Sequence, residues 1–132
     1  MVARKEVKSV HPELRIVASI CRMPKDFRET RTVSMSQLLE ASGYTTRPDD
    51  ITEARLANYL REHPELVDSW INESEDNRGS PAWYLQERPD AHRRGTAWVV
   101  GRYPDDALKE FTDRFEACAY YIKRFIEEIR NS

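Results

Sequence analysis

Apolar positions along this chain follow two rhythms, and the change between them divides it near residue 80. Before that point, hydrophobic residues recur three and four apart, the spacing of helices with one buried face. His11-Pro12-Glu13-Leu14 reads as a helix start, because proline suits the first turn and glutamate suits the positive end of the dipole. Leu14, Val17, Ile20 and Cys21 follow on one side, and Pro24 should end the helix near Arg22. Residues 25–32 are polar and basic and read as a loop or mobile arm.

Ser34-x-x-Gln37 fits a capping box for a short helix with Met35, Leu38 and Leu39 on its apolar face and Gly43 as its stop. A loop around Pro48 leads to Asp50-x-x-Glu53, which repeats the capping logic ahead of Leu56, Tyr59, Leu60 and His63. Pro64 breaks that helix, and His63-Pro64-Glu65-Leu66 repeats the earlier start. The restarted helix buries Leu66, Val67, Trp70 and Ile71.

Residues 74–81 form a polar connector with strong breakers, and beyond it the pattern alternates. Trp83 and Leu85 face one way, and Ala82, Tyr84 and Gln86 the other. After a charged loop at 88–95, Trp98 and Val100 oppose Val99 and Tyr103, and residues 108–112 supply a short third strand. Asp113-x-x-Glu116 then caps a final helix over 115–130. Its Phe115, Cys118, Ala119, Ile122, Phe125, Ile126 and Ile129 make one apolar stripe, opposite Glu116, Lys123, Glu127 and Arg130. The predicted fold is α+β: N-terminal helices, then a three-stranded antiparallel meander packed on a C-terminal amphipathic helix. One domain over residues 1–132 is expected, with 1–33 as a partly mobile basic arm and 50–132 as the most firmly patterned part.

Charge adds a second division to this picture. Residues 1–31 carry eight Lys/Arg against four acids, residues 40–76 carry ten acids against three bases, and residues 77–104 carry five arginines against two acids. A general nucleic-acid binder would show one dominant basic face instead. No apolar run is long enough to cross a bilayer, and the charged start has no apolar stretch behind it to act as a signal peptide. A cytoplasmic protein without a membrane partner is therefore expected. Cys21 and Cys118, distant in sequence and among apolar residues, read as small buried hydrophobes.

Chemistry is sparse. The chain lacks a Gly-x-Ser-x-Gly elbow, a phosphate-cradling glycine loop and a His-Glu-x-x-His pair, and its three histidines share no ligand spacing. No catalytic residue, metal site or cofactor is assigned. Glu75, Asp76 and Arg78 belong to the densest polar cluster, where a helix end whose acids pair with Arg78 is the simplest account. Arg93 and Arg94 sit in a basic hairpin loop, and Tyr120 beside Arg124 lies on the polar side of the last helix. These seven residues are the partner-binding candidates.

The leading expectation is a non-enzymatic domain that binds another protein, such as an immunity, inhibitor-type or regulatory protein whose acidic 40–76 region covers a basic partner. The alternative is nucleic-acid binding through the arm at 1–31 and the loop at 88–94. An enzyme built on Glu73, Glu75, Asp76 and Arg78 with His63 or His92 is a third.

The order helix–strand–strand–strand–helix from Glu53 onward resembles a double-stranded-RNA-binding domain. That family grips phosphates with lysines at the start of its last helix, where this chain has Thr112-Asp113-Arg114-Phe115-Glu116. Separately, Ser74-Glu-Asp-Asn-Arg-Gly-Ser-Pro-Ala-Trp-Tyr-Leu, Trp98-Val-Val-Gly and Glu116-Ala-Cys-Ala-Tyr-Tyr-Ile resemble small bacterial proteins of unknown function. That likeness implies a bacterial cytoplasmic origin and carries no activity.

Overall fold

The computed structural model describes residues 12–30, 32–76, 83–89, 95–102 and 108–131. Helix α1 (Pro12–Cys21) stops where Pro24 predicts, but residues 25–30 are not a loop. They belong to α2 (Met23–Thr30), in which Pro24 stands at the second position. A proline there forfeits no intrahelical bond, so the residue that ends α1 also starts α2. The turn at Arg22 keeps its bonds, Arg22 N–H to Ala18 O and Asp26 N–H to Arg22 O. Met23 is buried, which anchors α2 in the core.

Helix α3 (Met35–Ser42) has the predicted reciprocal capping box between Ser34 and Gln37. It ends on Gly43 at φ 92°, a left-handed conformation that favours glycine. Two single-turn 3₁₀ helices, Tyr44–Thr46 and Pro48–Asp50, replace the expected loop. Helix α4 (Glu53–Glu62) is capped by Thr52, whose hydroxyl accepts the Arg55 N–H, and not by Asp50, whose carboxylate faces Arg47. His63 ends α4, its ring stacked on Tyr59 with centroids 4.3 Å apart. Helix α5 (Glu65–Asp76) follows and buries Leu66, Val67 and Trp70.

Strands β1 (Trp83–Pro89), β2 (Thr96–Arg102) and β3 (Leu108–Phe111) form an antiparallel sheet in the order β1-β2-β3. β1 runs through Arg88, which stands opposite Ala97 and so is a strand residue, not a loop residue. The predicted face holds: Leu85 pairs with Val100, and both join the core.

Helix α6 (Arg114–Arg130) starts at Asp113, which caps the Phe115 N–H. The predicted stripe understates its burial, because Ala117 and Tyr121 are buried as well. The reason is that α6 does not merely lie on the sheet. It packs against α4 on one side, β1 and β2 on another, and α5 besides. Ala57 and Ala119 keep the α4–α6 approach close, and Tyr121 and Phe125 meet the edge of Trp70. Leu56, Leu60, Ile122 and Ile126 are fully buried, each worth about 1.5–3 kcal/mol of transfer free energy. Buried residues from every helix, β1 and β2 form one cluster. The observed class is the predicted α+β.

Candidate functional site

Two surface regions collect the candidate side chains. The first is a groove of about 670 Å³ along the outward side of α6, between the 3₁₀ turn at Pro48–Asp50 and Trp83. Lys123, Arg124 and Arg130 line it together with Asp49, Glu127 and Glu128.

Its cations are committed inward. Lys123 Nζ donates to Tyr44 Oη at 2.9 Å, Pro48 O at 3.0 Å and Ile51 O at 2.7 Å, which uses all three ammonium donors. Burial lowers its pKa. Tyr44 in turn donates its hydroxyl to Glu127, and burial together with that carboxylate drives the phenol pKa up. Arg130 makes two hydrogen bonds to Glu127 and holds its carboxyl below the usual range. Arg102 does the same for Glu128, which also accepts the Trp83 indole N–H at 3.0 Å. This arrangement fastens the 44–51 segment and the sheet to α6.

Arg124 lines this groove, and Tyr120 packs beside it. The Arg124 guanidinium sits 4.4 Å from the Tyr120 ring and donates to Glu53 at 2.6 Å. Lys109 Nζ is 4.9 Å from the same ring, and the Phe111 ring is 5.4 Å away. Tyr120 is thus half-buried between two cations and a phenyl ring, where the sequence places it exposed on the polar side. The acids at the start of α6 also pair within the fold. Arg61 reaches Asp113 at 2.8 Å and Glu116 at 3.7 Å. Burial alone would raise the Asp113 pKa, but the Arg61 bond and the amides of Phe115 and Glu116 outweigh it.

The second region is the outward face of α5. Glu65, Asp68, Asn72 and Glu75 are exposed along it, and Glu62 precedes them. Residues 62–76 contain six acids and no lysine or arginine. Glu73 does not belong to this face, because it is buried. Glu75 also lines a cleft of about 380 Å³ between the end of α5 and β1, with Ile71, Tyr84, Glu87 and Trp98. Asp76 is the last residue of α5. Arg78, Arg93 and Arg94 lie outside the described residues.

Sequence reasoning misses Ser74, which it assigns to a connector. It is buried on α5, accepts the Leu85 N–H at 2.8 Å and donates to Leu85 O at 3.4 Å. Its position four residues after Trp70 and seven after Val67, on the helix's inner face, is the available signal.

Cys21 and Cys118 are buried free thiols whose pKa values burial raises, the reverse of what a nucleophile needs. Among the described residues no group of three His, Cys, Asp or Glu could hold a metal ion, and no helix is long and apolar enough to cross a membrane. Comparison with protein-family models, curated proteins and solved structures returns no match. The likeness in element order to a double-stranded-RNA-binding domain therefore finds no support, and the first turn of α6 has acids tied to Arg61 in place of lysines.

Proposed function

We propose that this chain is a non-enzymatic protein-binding domain whose α5 face docks a basic surface of another protein. One observation carries this reading: Glu62, Glu65, Asp68 and Glu75 are exposed, and among the described residues no ion pair reaches any of them. Elsewhere several acids are neutralised by bases, as at Glu53–Arg124 and Glu128–Arg102. The last turn of α5 holds Glu75 and Asp76 and no base, although carboxylates at that end oppose the helix dipole. A local electrostatic cost that no described residue compensates is characteristic of surfaces kept for function. Such a field speeds encounter with a cationic partner and selects against acidic ones. An immunity or inhibitor-type protein covering a basic toxin is one concrete form.

The test compares the chain with its E65K/D68K/E75K variant, both checked for folding by circular dichroism, in binding to proteins of the source cells across a salt series. Loss of a salt-sensitive partner by the variant is the expected result. An unchanged partner set with unchanged salt dependence sinks the reading.

A further inference from the structure

β1 is an edge strand, and its outer edge is only partly closed. In an antiparallel pair, each residue directs its N–H and C=O to the same side, and alternate residues point to opposite sides. Both groups of Leu85 go to the Ser74 hydroxyl, so Leu85 points away from β2. Glu87, two residues on, directs its backbone pair the same way, and no hydrogen bond reaches either group among the described residues. Pro89 has no N–H to offer. From Leu85 to the end of β1 the open edge thus offers one donor, the Glu87 N–H, and the carbonyls of Glu87 and Pro89.

That opening coincides with the cleft at the end of α5. Glu75 and Glu87 are its charged lining residues, and no cation among the described residues pairs with either. Thr96 Oγ1 donates to one Glu87 oxygen at 2.8 Å, while the Arg88 guanidinium is spent on the neutral amide oxygen of Gln86. Ile71 and Trp98 supply an apolar wall. A long cationic side chain lays its stem on such a wall and its head between carboxylates. Backbone pairing at a sheet edge suits an extended segment and not a helix.

We infer that the cleft receives an extended basic segment of a partner protein. Its backbone pairs with Glu87 N–H and C=O, and the Arg or Lys of that paired residue enters between Glu75 and Glu87. This rests on the protein-binding reading above and assigns its anchoring point.

The probe is the pentapeptide acetyl-Thr-Val-Arg-Val-Thr-amide, titrated into the ¹⁵N-labelled full chain. Two control peptides carry glutamate in place of the arginine, or a methyl group on the arginine backbone nitrogen. The Glu87 amide should shift and its hydrogen exchange should slow. Either control peptide, and either Glu75→Gln or Glu87→Gln, should weaken binding about tenfold, as expected for loss of a charge-assisted or backbone hydrogen bond. Equal binding of the glutamate or the methylated peptide overturns the inference, as does binding that leaves the Glu87 amide unmoved. The two proposals separate cleanly. If the probe does not bind while E65K/D68K/E75K still loses its partner, the cleft assignment falls and the protein-binding reading stands. If both fail, both are wrong.

Discussion

Trp70 concentrates more of the packing than any other side chain. It is fully buried, its ring meets Tyr121 and Phe125 edge-on, and its indole N–H donates to Cys21 O at 2.9 Å. Replacement by alanine removes the ring contacts and opens a cavity between α1, α5 and α6. A loss of about 3–5 kcal/mol is expected in urea unfolding. Ser74 works by a different mechanism, since its hydroxyl serves a buried N–H and C=O at once. Ser74→Ala leaves both unsatisfied, so about 1–3 kcal/mol is lost and the Leu85 amide exchanges faster. The acid-linked groups are legible at this scale too. Glu127 and Glu128 have pKa values held down by Arg130 and Arg102. A carboxyl whose folded pKa lies below its unfolded value of about 4.3 contributes stability that is complete above that pH and lost as pH falls through the folded pKa. Stability should therefore be level from neutral pH to about 5 and decline below, where unpaired carboxyls of the unfolded chain take up protons first. Glu128→Gln should make that decline shallower in a pH series of denaturation midpoints.

At the level of elements, the pattern of apolar spacing located five of the six α-helices and the three strands among the described residues, but it missed α2 and how the ends are used. Pro24 reads as a stop, yet the same missing N–H makes it an acceptable second residue of α2, and only the burial of Met23 decides between the two. The cap of α4 passes from Asp50 to Thr52 because Asp50 is turned toward Arg47 three residues back, a competition invisible in the capping pattern. Long-range partners were hidden for the same reason. Lys123 reads as a solvated residue on a polar face, and its three bonds go to an oxygen of Tyr44 and carbonyls of residues 48 and 51, far away in sequence. Helix α5 was legible as an acidic block with Leu66, Val67 and Trp70 inside, but its last inner position was not, because serine at position 74 carries no apolar signal. The acidic end of α5 also makes an energetic prediction. Glu75→Lys removes an unfavourable charge from the negative end of the helix, so it should stabilise the fold by about 0.3–1 kcal/mol in thermal or urea unfolding. The same change should weaken partner binding. Gain in stability with loss of binding is the signature of a residue kept for recognition.

On the scale of the whole molecule, the two sheet edges are treated differently. The β1 edge is partly closed by Ser74, whereas β3 is short and presents Lys109 and Glu110. Any two-fold antiparallel pairing of β3 with a second copy must set residues of one face opposite each other. In the two registers centred on Lys109 or Glu110 it places like charges opposite each other, an arrangement that discourages sheet-to-sheet association. The centrality of α6 has a further consequence, in time and not in space. Synthesis is vectorial, and α1 to β3 all emerge from the ribosome before the one helix that joins α4, α5 and the sheet. Until residues 114–130 follow, those elements have only their contacts with one another, and the side of the core that α6 covers stays open. A fragment ending at residue 113 should consequently show no cooperative unfolding transition and should bind a hydrophobic dye, while adding residues 114–130 as a separate peptide restores structure to the extent that α6 is the missing piece.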